Sequence, residues 1–445
     1  MTAALRRSFD SLAVPNYRRY FGGQLVSLSG NWMQTVAEIW LILGLTGSGL
    51  AVGLTTALQF LPILLFGAWG GLLADRVPKR RLLLVTQGLM ALPALALLSL
   101  SLAGAVTPLI VYALVFARGT VNAVDNPTRQ SFVIEIVGSE RLVNAVSLNS
   151  VLVHSARIAG PALAGVLIAT VGVEPCFAIN ALTFFVMIGA LWGMDPASLR
   201  AAEPAERRRG SIREALAYVR ADRDLAVPLA LMALVGTFGF NFQVILPLLA
   251  RFSFDGGAGV YSALLCAMGA GSVVGALVTG ARGRTGLGVV GAASLAFGLF
   301  ALAAAAAPTL ALELPVLALL GAASVTFAAS VNSSLQLAVS PQMRGRVMAL
   351  YAMVFLGSTP VGGPLAGWLS EAYSPRAALL LAASAALAAS WAARRSEARL
   401  RARNTEDPPG AGKGEDPTPR RVVCGAGAQS SNRSSAPPAM RSSLR

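Results

Sequence analysis

Gly71-Leu72-Leu73-Ala74-Asp75-Arg76-Val77-Pro78-Lys79-Arg80-Arg81 sets one carboxylate and four cations between two apolar runs, 51 to 74 and 82 to 104. A bilayer core about 30 Å thick needs roughly 20 apolar residues per helix. Each run meets that length, so the stretch reads as a tight turn at a membrane edge joining two spanning helices. Glycines at 67, 70 and 71 would let the first of these helices pack closely on a neighbour. Two readings of the turn stand: Asp75 and its cations lock one helix to another, or the cations anchor the turn at the membrane surface.

The same rule carried outward divides the first half into runs near 20–45, 51–74, 82–104, 107–124, 143–171 and 175–194. The second half yields 225–250, 258–280, 286–306, 312–333, 346–370 and 376–393. The composition agrees: 55% of the 445 residues are hydrophobic, only 13% are charged, and mean hydropathy is +0.63. Soluble domains carry roughly 25% charged residues, so a soluble chain of this size is excluded. The first run follows basic residues as a signal peptide would, but it is about 25 residues long against 7 to 15 for a signal core, and it reads as retained.

With both termini placed inside, the inner segments before residue 394 hold 21 Lys/Arg and the outer loops two, Arg251 and Arg376. This asymmetry sets the orientation and favours an even number of spans. The net charge of +15 comes in short bursts between apolar runs, not on one aromatic-rich face, so nucleic acid is not an expected partner. Cys176, Cys266 and Cys424 have no paired spacing, and with His154 as the one histidine neither a disulfide framework nor a metal site is expected.

Residues 195–224 form the longest polar stretch between runs and split them six and six. Within it Ser211-Ile212-Arg213-Glu214 fits a capping box, followed by Ala215, Leu216 and Val219 on the face of Ile212. The expected organisation is a cytoplasmic N-terminus (1–19), a six-helix bundle (20–194), a cytoplasmic linker with an amphipathic helix (195–224), a second bundle (225–393) and a disordered cytoplasmic tail (394–445). The halves repeat at an offset near 204: Gly160-Pro161-Ala162-Leu163-Ala164-Gly165 lies opposite Gly363-Pro364-Leu365-Ala366-Gly367, and Gly71 opposite Gly275. The fold expected is all-α integral membrane, twelve transmembrane helices in two six-helix pseudo-repeat bundles, an arrangement that places substrate between the halves at midplane.

The turn at 71–81 resembles the loop 2-3 signature of the major facilitator superfamily, with Pro78 where that signature has Gly. Three further stretches resemble a bacterial branch of enterobactin-exporter-like, transmembrane secretion effector permeases. They are Gly30-Asn31-Trp32-Met33-Gln34 through Trp40 to Ser48; Asp125-Asn126-Pro127 with Gln130; and Asn144-Ala145 through Asn149 and Arg157 to Gly160-Pro161. The resemblance covers about residues 10 to 393. It implies a secondary exporter of a bulky organic molecule, such as a siderophore or hydrophobic drug, working by alternating access, driven by the proton gradient without a cofactor. It also implies an inter-helix lock at Gly71, Asp75, Arg76, Lys79 and Arg80, a gating role for Asp125, and an antiporter-like element at Gly160 and Pro161. Thr279 stands where Asp75 would repeat, so the lock is lopsided. An importer or uniporter on the same fold, and a non-transporting membrane sensor, are the alternatives.

Ionisable groups at membrane depth cost about 2.5–3.5 kcal/mol by insertion scales and mark function by default. The runs bury Glu38, Arg118, His154 and Arg157, all in the first half, while the second offers Asn241, Gln243, Asn332 and Gln336. Glu38 fits a proton carrier, a permanent partner of Arg118 or Arg157, or a contact for a cationic substrate. Arg118 fits proton transfer or structural pairing; Arg157 fits structural bonding near the Gly-Pro element or substrate contact. His154 fits a relay or an interior hydrogen bond. Trp32, Gln34, Trp40, Asn241 and Asn332 are the expected substrate cavity. No catalytic cluster or phosphate loop supports an enzyme. The expected setting is the cell inner membrane, crossed many times, with lipid and a small-molecule substrate as partners and a functional monomer.

Overall fold

The computed structural model describes residues 9–200, 212–282, 285–340 and 343–406. The chain divides into a compact unit, 1–399, and a second, 400–445, of which the described part, to 406, is helical. The helices are α1 (Pro15–Thr46), α2 (Gly49–Arg76), α3 (Lys79–Leu102), α4 (Pro108–Val137), α5 (Leu142–Thr170) and α6 (Glu174–Trp192) in the first half. A short α7 (Ile212–Ala221) precedes α8 (Arg223–Gly239), α9 (Phe242–Phe252), α10 (Ala258–Arg282), α11 (Leu287–Ala306), α12 (Leu310–Ala338), α13 (Arg344–Gly357), α14 (Thr359–Ala372) and α15 (Pro375–Glu406). Among the described residues eleven segments are long and apolar enough to cross a membrane, counting α8–α9 and α13–α14 as one each. The more polar α1, 32 residues long, makes the twelfth crossing.

Several boundaries differ from the sequence expectation. The fourth run does not stop before Pro127, because α4 continues to Val137. Pro127 has no amide to offer the carbonyl of Ala123. Gly70 of α2 packs against that same carbonyl, so the free acceptor meets a close backbone where a Cβ would not fit. The seventh crossing breaks at Phe240 and Asn241, and the eleventh at Ser358, where Pro360 removes a helical donor. The segment 394–406, expected to be disordered, is helical. The linker helix is present as α7 and buries Ala215 and Val219, while the Ser211 cap, Arg6, Arg7, Arg207 to Arg209, Arg284 and the tail from 407 with Cys424 lie outside the described residues.

The second and fourth helices of each half are joined through small residues. In the first half Gly119 packs on the backbone of Gln59; in the second Gly271, Gly275 and Gly321 pack on Ala318, Ala322 and Met268. Of the three glycines preceding Asp75 only Gly70 serves this purpose: Gly71 meets nothing within 4 Å and Gly67 only its own helix.

The two halves touch at one end. Gly49 and Gly53 of α2 lie against the carbonyls of Gly367 and Gly363 of α14, and a Cβ on either α2 glycine would meet its carbonyl at 2.5 Å. Glu371 closes this corner, accepting from Ser48 Oγ at 2.6 Å and the Leu50 amide at 3.0 Å. On the other side Gly165 of α5 faces Ser262 of α10, and Cys266 Sγ donates to the Ile158 carbonyl at 3.5 Å. The bundle is therefore sealed at the end away from the basic turns.

Candidate transport site

A buried polar chain crosses the first half at mid-depth. Arg118 Nη2 on α4 donates to Glu38 Oε2 on α1 at 2.5 Å, with Glu38 1% and Arg118 6% exposed. Gln34, one turn earlier, donates to Glu38 Oε1 at 2.7 Å. Asn180 of α6 donates to Gln34, and Thr183 Oγ1 donates to Asn180 Oδ1 at 3.0 Å. Arg118 also reaches Thr35 Oγ1 at 3.4 Å, while its Nε has no partner. Both oxygens of Glu38 are thus occupied by donors from two helices. The spacing explains it: Gln34 and Glu38 share a helical face at i and i+4, and Arg118 projects from the helix packed beside them.

Gln34 is accordingly part of this chain, fully buried, and not a cavity residue. Trp40 also leaves the expected cavity: its ring stacks on Tyr261 of α10 at 6.3 Å, joining the halves near the seal. Trp32 and Arg157 come together, the guanidinium lying 5.1 Å from the ring centroid, while Gly160 lets α5 approach the backbone of Ser29 and Met33. Helix α5 runs unbroken through Pro161, and the carbonyl that this proline leaves without an amide is that of Arg157 itself, whose guanidinium lies on the face of Trp32. His154 is half-buried one turn before Arg157. Asn241 is buried at the α8–α9 break, donating to the Thr237 carbonyl at 2.7 Å with its Oδ1 unpaired. Asn332 is half-buried and accepts from Gln336 at 2.5 Å.

Asp125 anchors a second chain nearer the basic end, inside α4 and not at a helix stop. It accepts from Thr86 Oγ1 at 2.6 Å and Gln87 Nε2 at 2.8 Å and pairs with Arg129, which extends to Gln24 of α1. In the basic turn, Lys79 pairs with Glu135 at 2.6 Å, and Arg80 donates to the carbonyls of Leu191 and Trp192 at 2.8 and 2.9 Å. These cations tie helices of the first half together. Asp75 and Arg76 are exposed and in no ion pair among the described residues.

Sequence reasoning missed Thr35, Asn180, Thr183, Thr86, Gln87 and Arg129. Asn180 was detectable as a lone amide within an apolar run. It also missed Glu313, a fully buried carboxylate in the second half, which corrects the expectation that all buried charge lies in the first. Its position at the edge of run 312–333 reads as a membrane-surface residue.

A family model described as transmembrane secretion effector matches residues 7–415. The chain is 24% identical over 262 residues to the staphyloferrin A transporter of Staphylococcus aureus, covering 58% of this chain and 65% of that protein, just under two thirds of its length. It is 26% identical over 372 residues to the enterobactin exporter EntS of Citrobacter koseri, covering 81% of this chain and 86% of that one. Among solved structures, a bacterial homologue of the iron transporter ferroportin in an inward-facing state superposes with a TM-score of 0.68 at 13% identity, over 86% of this chain and 98% of that one. The nucleoside transporter NupG superposes at 0.65 and 13% identity, over 85% and 98%. These structures share the fold.

Proposed function

From the premise that the chain belongs to the transmembrane secretion effector family of the major facilitator superfamily, and so is a membrane transporter and not an enzyme, we propose that it is a proton-coupled exporter of a bulky organic molecule. A siderophore is the candidate cargo that the names of its relatives support; a hydrophobic drug rests on the family resemblance alone. The observation that carries the reading is the Glu38–Arg118 pair, closed within a chain of donors at mid-depth. A carboxylate so placed is stable as an anion only while Arg118 faces it; a proton on Glu38 discharges the pair and frees Arg118 to turn elsewhere. Loss of the pair changes how α1 and α4 are held to each other, and this is the route by which that proton is coupled to which end is open.

With the basic end taken as cytoplasmic, the sealed end is the outer one and the arrangement is inward-facing. Glycine contacts at 49, 53, 363 and 367 then form the outer gate. Asp75 and Arg76, in no ion pair among the described residues, would engage the second half when the inner ends close. Arg157 on the face of Trp32 offers a cation and an aromatic surface to an acidic or aromatic cargo group.

The test is proton release from acidified inverted vesicles, followed with a pH-sensitive dye, on adding siderophores or amphipathic drugs. Substrate-triggered dequenching in wild type and its loss in Glu38→Gln is the expected result. Equal dequenching in both variants would remove Glu38 from coupling, and cargo accumulation in cells would reverse the direction.

A further inference from the structure

Glu313 lies in the first turn of α12, at the sealed end, with no exposed surface. Neither carboxyl oxygen has a hydrogen-bond partner. The surroundings offer little to hold a charge. Helix α11, packed alongside, contains no ionisable residue; α8, α10 and α13, which also pack on α12, carry their charges at the basic end, Arg223 and Asp224, Arg282, and Arg344 and Arg346; Arg251 at the end of α9 is exposed. Arg376 of α15 is the charged group whose field reaches Glu313, yet it donates Nη2 to the Ala307 carbonyl at 2.8 Å. Glu38, by contrast, has a donor on each oxygen. An ionised carboxylate enclosed without partners is far more costly than the neutral acid, because no contact replaces the lost hydration.

We propose that Glu313 is a second proton-binding site, in the half opposite Glu38, occupied while the outer end is sealed and emptied when it opens. Opening admits water to the first turn of α12 and lets Arg376 exchange the Ala307 carbonyl for the carboxylate. The proton leaves to water on the outer side, and the Glu313–Arg376 pair forms. Deprotonation thus disfavours the sealed arrangement: the sealed fraction is highest at low pH and falls as pH rises. This rests on the proton-coupled reading above, but it concerns conformation and needs no substrate.

The test uses the full chain in lipid nanodiscs with Cys176, Cys266 and Cys424 replaced by Ala and spin labels at Ala105→Cys and Thr309→Cys, both exposed in outer connections. The label distance is measured from about pH 5 to about pH 9 in wild type, Glu313→Gln, Arg376→Gln and Glu38→Gln. In wild type the short-distance fraction should fall as pH rises, and in Glu38→Gln, with Glu313 as the remaining site, it should fall roughly tenfold per pH unit beyond the midpoint, as for one proton. Glu313→Gln should stay short at every pH, and Arg376→Gln should move the midpoint upward, which a merely structural loss would not do. In Glu38→Gln the part of the response that depends on Glu313 should persist even as the midpoint moves, separating this site from the failure of the coupling assay. A wild-type distance indifferent to pH, a Glu313→Gln variant that titrates like wild type, or a response lost only in Glu38→Gln would overturn the proposal.

Discussion

The two halves share a helix arrangement but are held by different chemistry. In the first, α1, α3, α4 and α6 are joined by two buried polar chains, one centred on Glu38 and Arg118, the other on Asp125 and Arg129. In the second, the corresponding centre is aromatic: Phe240, at the α8–α9 break, makes edge contacts with Phe297, Phe327 and Phe355 at 5.6 to 6.1 Å. Polar chains demand specific donors and distances, whereas aromatic packing tolerates sliding. The contrast concentrates buried ion pairs in the first half and leaves the second with Glu313 as its one buried carboxylate among the described residues.

The strongest way to break this contrast is to strip Arg118. Arg118→Ala leaves Glu38 as a buried unpaired charge, and thermal unfolding in detergent should show a loss of about 3–5 kcal/mol. Adding Glu38→Ala should recover part of it, since no orphan charge then remains. On the other side, Phe240→Ala empties the aromatic centre and should cost about 3 kcal/mol by the same measurement, with no effect of pH. If Phe240→Ala proved harmless while its neighbours stayed in place, the second half would not depend on this packing.

Smaller effects sharpen the comparison. Asp125→Asn keeps the shape but weakens three donors' acceptor and should cost about 1–3 kcal/mol, read from the denaturation midpoint of the purified protein. Gly53→Val places a side chain where the Gly363 carbonyl lies, so it should shift the equilibrium toward opening of the sealed end, seen as a longer Ala105–Thr309 label distance. Glu371→Gln removes a charge-assisted contact at an exposed corner and should change stability by less than about 1 kcal/mol.

Much of the fold was legible because hydropathy and positive charge are local. Runs of about 20 apolar residues and bursts of Arg and Lys mark crossings and turns without reference to any partner. The breaks were not: α4 passes through Pro127 because the Ala123 carbonyl has Gly70 to face, a fact contributed by another helix. Of the site, Glu38 and Arg118 stood out singly, and their pairing was one of three open readings. Gln34 and Trp40 looked like cavity residues because polar amides and indoles in apolar runs carry no sign of which way they point. The similar Gly-Pro elements show the same limit: Gly160 packs on α1 within its half, whereas Gly363 packs on α2 across the halves.

By itself the sequence determined a chain of membrane crossings with a basic end and a handful of charges too costly to lie idle in lipid. Those properties sum residue by residue along the chain. Only the tertiary structure decided that Glu38 is satisfied and Glu313 is not, that the basic turn binds its own half, and that the end away from that turn is shut by glycine backbones. Each depends on distances between residues far apart in sequence, and electrostatic and steric energies follow those distances, not the order of residues in the chain.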